Sequence, residues 1–216
     1  MAQKFHQELQ LLKAEVLDMG SLSTCFLERG MEAMVNQDVN LANSILDMKD
    51  QILEKDRNIE AKTLQLLTLH QPMAKDLRLI AAILKIITYI TRIGRYGKDI
   101  ASLVEELSAQ PHVKKIVHLP RMMKDVVAMI RDALDAFETE KIDKIQDMAE
   151  RDDVVDEMRY EIFRECLTYM MENAKNITRC THYIMMARYL ERCGDHACKI
   201  AEKVHYMVTG EHVEIK

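Results

Sequence analysis

Two acidic residues one helical turn apart occur twice in the second half of this chain. They are Asp152 and Asp156 in ERDDVVDEM, and Glu191 and Asp195 in ARYLERCGDHACKIAE. Like charges at i,i+4 oppose a helix by about 0.2–0.5 kcal/mol per pair, so something should offset them. One answer is arginine: Arg188 and Arg192 stand close by in sequence. The other is a cation shared between two helices. If the two segments form an antiparallel hairpin turning between Asn173 and Ala174, Asp156 falls opposite Glu191 and Asp152 opposite Asp195. Four carboxylates then meet across one helix interface and repel one another strongly at reduced dielectric. Either some are protonated or a cation compensates them. An all-oxygen donor set suits hard or borderline ions, and Fe, Mn, Mg, Zn and Ca all stay open. The candidate metal ligands are therefore Asp152, Asp156, Glu191 and Asp195, with an arginine–carboxylate network as the alternative. His196, on the basic flank with Arg192, Lys199 and Lys203, reads as a hydrogen-bonding residue rather than a ligand. Asp153, Glu157, Glu161 and Glu165 read as a solvated face.

The elements that must position these acids are helices. In the 187–202 stretch the apolar stripe Met186, Leu190, Cys193, Ala197, Ile200, Val204 and Met207 follows the three- and four-residue steps of a packed helix, and the acids run beside it. Six Gly, three Pro and 16 Met in 216 residues, with abundant Leu, Ile, Ala, Glu and Lys, point to an all-α chain. The methionines read as core filler. Periodicity and breakers predict six helices: about 3–36, 40–70, 72–108, 120–138, 141–173 and 174–209. Asp38 or Asn40 is placed to cap the second. Gly210 is placed to close the last. Gly94 and Gly97 suggest a close helix contact rather than a nucleotide loop. Residues 111–119, bracketed by Pro111 and Pro120, form the one long connector and divide the chain into 1–110 and 120–216.

The second half repeats the first. At an offset of 100, Asp47-Met48, Asp56, Ala74-Lys75, Tyr89, Arg92, Gly94 and Ile100-Ala101 match Asp147-Met148, Asp156, Ala174-Lys175, Tyr189, Arg192, Gly194 and Ile200-Ala201. The helix after the connector aligns with the first at a slightly different offset, Met19, Ala33 and Met34 falling on Met122, Ala136 and Phe137. The unit is three helices, and the fold class is all-α with two tandem, pseudo-symmetric three-helix bundles. The first-half counterparts of the four acids are Ile52, Asp56, Thr91 and Arg95, so no comparable metal site is expected there.

Other classes find little support. A net charge of −5 with interspersed signs, and only Lys114–Lys115 and Arg121–Lys124 as basic clusters, argues against nucleic-acid binding; those clusters read as a solvated connector. No apolar run reaches membrane-spanning length, and the N-terminus does not read as a signal peptide. Five cysteines without a CxxC read as reduced thiols, with Cys193 and Cys198 packed in the core of a cytosolic protein. A di-iron core needs paired ExxH motifs, and only Glu202 to His205 offers one. No nucleophile–base pattern or phosphate-cradling glycine loop stands out, so the chain reads as no enzyme. His70, His112 and His182 read as surface or capping groups.

HQPMAKDLR (70–78), DDVVDEM, ARYLERCGDHACKIAE and VHYMVTGE (204–211) together make the chain resemble the PhoU family of phosphate-uptake regulators over nearly its whole length. The resemblance implies a cytoplasmic, often oligomeric (homodimeric) protein with metal clusters held by paired E/D-xxx-D motifs, here Asp152, Asp156, Glu191 and Asp195. It also implies negative regulation, either coupling a phosphate ABC transporter, through its ATPase, to a sensor histidine kinase or restraining the transporter itself. The rival reading is a metal-free helical scaffold whose acids are salt-bridged.

Overall fold

The computed structural model describes residues 2–70, 72–113 and 118–215. Among them eight α-helices occur in the order α1 (Ala2–Asn36), α2 (Val39–Asp47), α3 (Lys49–Leu69), α4 (Ala74–Ser102), α5 (Val104–Ser108), α6 (His118–Thr139), α7 (Met148–Glu172) and α8 (Ile177–Thr209). They form six rods, because α2–α3 and α4–α5 are single runs interrupted by one residue each. At Met48 and Leu103 the backbone tightens to an i→i+3 bond, Met48 N–H to Ile45 O and Leu103 N–H to Ile100 O, both 3.2 Å. Such a local 3₁₀ turn needs neither proline nor glycine, so no breaker residue announces it.

Helix ends follow local chemistry. Gln37 terminates α1 in the left-handed region at φ 53°, and its side-chain amide donates to Leu107 O (2.9 Å) and Gln110 O (2.7 Å). Asp38, not Asn40, caps α2, accepting from Leu41 N–H at 2.9 Å. Gly210 closes α8 at φ 83°, a conformation that suits glycine. Pro120 sits in the first turn of α6, where its missing N–H leaves no bond unmade. Arg121 and Lys124 are therefore exposed residues of a helix rather than of the connector. Lys114 and Lys115 lie outside the described residues, as does Gln71.

The expected helical start at Lys141 is corrected. Glu140 takes φ 55°, which turns the chain sharply, and its carboxylate bridges Lys13 (3.1 Å) and Lys75 (3.0 Å). A 3₁₀ turn, Asp143–Ile145, follows before α7 begins at Met148. Gln37 and Glu140 are equivalent under the alignment of the first helix with the one after the connector. The repeat has thus kept a left-handed stop at the end of each unit's first helix.

In the first unit α1 packs on α3 and α4; in the second α8 packs on α6 and α7. The units join mainly through α4 against α8, with α1 against α6, and share one continuous apolar core. The stripe of α8 from Met186 to Met207 is wholly buried, as are Phe5, Leu9, Leu12, Val16, Met19 and Phe26 of α1. Leu69, the last residue of α3, is 65 % exposed, because the helix ends there. Among the described residues nine methionines lie in the core, while Met73 and Met171 are exposed. Gly97 supplies the closest approach: a Cβ there would stand 2.8 Å from Leu27 N and Phe26 C, so α1 and α4 touch backbone to backbone.

Candidate metal centre and the family of the chain

The acids arrive together through the α7–α8 hairpin. α7 stops where Asn173 leaves helical space (φ −155°, ψ 116°), and the Asn173 side chain accepts from Lys175 N–H at 3.0 Å, opening a one-turn 3₁₀ segment into α8. The turn is tight, so residues equidistant from it lie level. Two contacts establish this. Asp152 Oδ1 stands 3.0 Å from where a Cβ on Gly194 would be, beside Asp195. Arg159 Nε reaches Glu191 Oε1 at 3.7 Å and Asp156 Oδ1 at 4.0 Å. Gly194 is what lets a carboxylate rest on the backbone of α8. In the first unit its counterpart Gly94 receives Ile52 instead, a Cβ there lying 2.2 Å from Ile52 Cδ1. The repeat alignment of Ile52 with Asp152 is thereby a spatial equivalence as well.

Charge crowding is visible in the titration of these groups. Burial, then Asp195, Asp156, Glu191 and Asp153 in turn, push the Asp152 carboxyl up to about 6. Burial raises Glu191, opposed by Arg188 and reinforced by Asp195. Burial also raises Asp195, with Asp156 adding to it and Arg188 and Arg192 opposing. The arginines hold one side of the cluster: Arg188 Nη1 donates to Glu191 Oε1 at 2.6 Å. Glu191 is only 9 % exposed, and its second oxygen, Oε2, is buried with no hydrogen-bond partner. Asp152 and Asp195 have no salt bridge among the described residues.

Both halves of the opening alternative thus meet in one place. The donor set is all oxygen, and a buried carboxylate oxygen left without a partner is the atom a cation would satisfy. Arg188 and Arg159, however, neutralise Glu191 in part. Among the described residues no three His, Cys, Asp or Glu side chains stand in ligating positions as they are. The residues that would hold a bound ion are Asp152, Asp156, Glu191 and Asp195. In the first unit the equivalent place has one acid. Burial raises Asp56, against the Thr91 hydroxyl and the Arg95 guanidinium.

The sequence matches the model of the PhoU domain twice, over residues 16–104 and 119–204. The chain belongs to the PhoU family. A relative from Clostridium acetobutylicum, the phosphate-specific transport system accessory protein PhoU homolog, is 34% identical over 98% of this chain and 97% of that protein. The homolog of the same description from Caulobacter vibrioides is 37% identical over 97% of this chain and 91% of that protein. The crystal structure of PhoU from Pseudomonas aeruginosa superposes with a TM-score of 0.91 at 34% identity, covering 96% of this chain and 100% of that one. The phosphate transport system regulatory protein PhoU from Streptococcus pneumoniae gives 0.88 at 27% identity, covering 97% and 99%. The all-α PhoU architecture of two tandem three-helix units is therefore the fold of this chain.

Several side chains outside the acids differ from the sequence expectation. His196 is not a hydrogen-bonding residue in this structure: it is 8 % exposed, its Nε2 has no partner, and it stacks on Tyr96 at 6.0 Å with planes 18° apart. Burial, with Arg92 and Arg192, pushes its pKa down to about 4. His182 lies between the units and approaches Glu106 Oε2 at 3.0 Å rather than standing on the surface. His112 ties the connector to both units, through Tyr183 Oη (3.0 Å) and Val35 O (3.2 Å). Glu202 of the lone ExxH pair is engaged by Lys199 (2.7 Å) and Ile215 N–H (3.1 Å). The five cysteines are free thiols, four of them buried. No helix among the described residues is long and apolar enough to cross a membrane.

Proposed function

We propose that the chain is a metal-binding, non-enzymatic regulator of phosphate uptake. It negatively modulates a phosphate ABC transporter by docking on the cytoplasmic ATPase, and it connects that transporter to a sensor histidine kinase. The relatives named as accessory proteins of phosphate-specific transport support the transporter role. The observation that carries the metal is the facing of Asp152 and Asp195 across Gly194, with Glu191 Oε2 buried and unpartnered beside them. A cation of oxygen preference, Fe, Mn, Mg, Zn or Ca, would clamp α7 to α8 through Asp152, Asp156, Glu191 and Asp195. It would thereby fix the outer face of that hairpin as a docking surface.

A second reading has its own observation in favour. Arg188 lies 2.6 Å from Glu191, so the protein could be a metal-free scaffold with salt-bridged acids. Arg188→Ala separates the two. If a cation is the intended partner, removing the competing guanidinium tightens metal binding, and ion content per chain after purification without chelator rises or holds. If arginine is the partner, the variant loses about 1–2 kcal/mol of stability, and metal content stays at zero for variant and wild type alike. The latter result rejects the metal.

A further inference from the structure

The α4–α8 seam carries four rings and two exposed guanidiniums, Arg92 and Arg192, of which Arg192 also acts on Asp195 of the acid cluster. Tyr96 contacts Tyr189 with centroids 5.5 Å apart, and Tyr89 contacts His196 at 5.8 Å. Under the hundred-residue repeat Tyr96 exchanges with His196 and Tyr89 with Tyr189, so these are one contact made twice. That is the mark of a self-complementary interface about an approximate twofold axis. The Tyr96–His196 stack completes the ladder.

The contacts run antiparallel, with Tyr96 between Tyr189 and His196, and His196 between Tyr96 and Tyr89. Arg192 stands one turn before His196 on α8, and Arg92 stands between Tyr89 and Tyr96 on α4, the two rings that contact His196; both arginines are exposed. Neither guanidinium has a salt bridge or hydrogen bond among the described residues. The charged neighbours of the patch are Asp195 on Arg192's own helix, Asp99 beside Tyr189, and Lys199 beside Tyr89. Beside the arginines lies the nine-tenths-buried His196 with its unpartnered Nε2. Both guanidiniums act electrostatically on its ring. A buried polar atom without a partner carries a desolvation penalty that a ligand oxygen would remove.

We propose that Arg92, Arg192 and His196 form an anion site on this seam, and that it takes a phosphoryl oxyanion, either inorganic phosphate or the phosphate of a lipid headgroup. A tetrahedral oxyanion presents oxygen pairs to two guanidinium forks at once; a carboxylate, with two oxygens, satisfies one. The neutral imidazole, unpartnered at Nε2, would supply an N–H donor in the tautomer protonated there. The site shares no ligand with the acid cluster and stands whether or not a metal binds there.

The test uses the full chain with ¹⁵N-histidine, titrated with inorganic phosphate at pH 7.5 and constant ionic strength. The His196 ring nitrogens shift saturably, sulfate competes, and chloride does not. Arg92→Gln and Arg192→Gln each weaken binding by roughly ten-fold, and the double variant shows no saturation. Both residues are exposed, so the variants keep the wild-type circular dichroism. A parallel arm sediments the protein with phosphatidylcholine vesicles with and without phosphatidic acid. A saturable shift with inorganic phosphate assigns the free anion. No shift, but arginine-dependent sedimentation with phosphatidic acid, assigns the headgroup. Failure of both arms, or a phosphate shift that survives in the double variant, overturns the site.

Discussion

Asp152→Asn is expected to stabilise the metal-free protein at neutral pH. The Asp152 carboxyl is pushed up from an ordinary 3.8 to about 6, first by burial and then by the neighbouring acids. A folded pKa above the unfolded one means that the native chain holds the proton more tightly. The resulting stabilisation is fully present below pH 3.8 and is lost as pH rises through about 6. At pH 7.5 the ionised carboxylate therefore works against the fold. At about 1.36 kcal/mol for each pH unit, the gap between the two values amounts to about 3 kcal/mol. Asp152 is only partly buried and Asp156 and Asp195 are exposed, so solvent screening reduces this to about 1–2 kcal/mol. A domain of this size gains about 2–4 °C in Tm per kcal/mol, so the variant should melt about 2–8 °C above wild type in chelator at pH 7.5. At pH 5 the gap should shrink, because wild-type Asp152 is then largely protonated. With manganese at about 100 times its Kd the order reverses, since wild type gains about 2.7 kcal/mol from the ion and the variant gains less. Melts followed by circular dichroism, at both pH values with and without manganese, decide it. A variant that melts below wild type in chelator at pH 7.5 would refute the crowding argument. So would a difference that ignores pH.

Gly97→Ala should destabilise, because the new Cβ meets the backbone of Leu27 and Phe26 at 2.8 Å, where nothing flexible can yield. Overpacking of this kind costs about 1–3 kcal/mol, more than the helix-propensity gain of about 1 kcal/mol offsets where the obstacle is rigid. A Tm equal to or above wild type in calorimetry would contradict the close α1–α4 approach. Glu140→Gln strands Lys13, 6 % exposed, without its carboxylate and should cost about 1–3 kcal/mol at pH 7. Lys75, against burial and with Lys13, holds Glu140 below its ordinary 4.5, so the stability it supplies is present above pH 4.5 and fades as pH falls below it. Urea midpoints of wild type and variant should therefore differ at pH 7 and draw together as pH falls to 3.5.

How far the site could be read without coordinates depended on which residues kept a regular period. The α8 stripe and the i,i+4 acids are periodic, and a tight turn at Asn173 made the cross-helix pairing a matter of counting. Asp152 beside Gly194 follows from that count. The breaks at Met48 and Leu103 carry no proline or glycine, so composition is silent about them. The left-handed turn at Glu140 has no glycine or asparagine to announce it, and the lysine its carboxylate meets, Lys13, is 127 residues away. Arg159 was missed although it follows Asp156 by three residues on the acids' own stripe; only the hairpin geometry shows that it reaches Glu191. His196 shows the commonest limit. Its flank on α8 looked basic and wet, yet the pseudo-symmetric docking of α4 buried it. The matched positions Tyr96 and His196 were the one available hint.

α8 is a continuous rod of 33 residues, about 50 Å long, gripped along its length by α4, α6 and α7. Asp195 and His196 are consecutive on it, so their side chains leave the axis roughly 100° apart. One looks to the carboxylates of α7, the other to the rings of α4. A small roll of this shaft that spreads the first set must squeeze the second. The two flanks are geared together, and neither can be retuned alone.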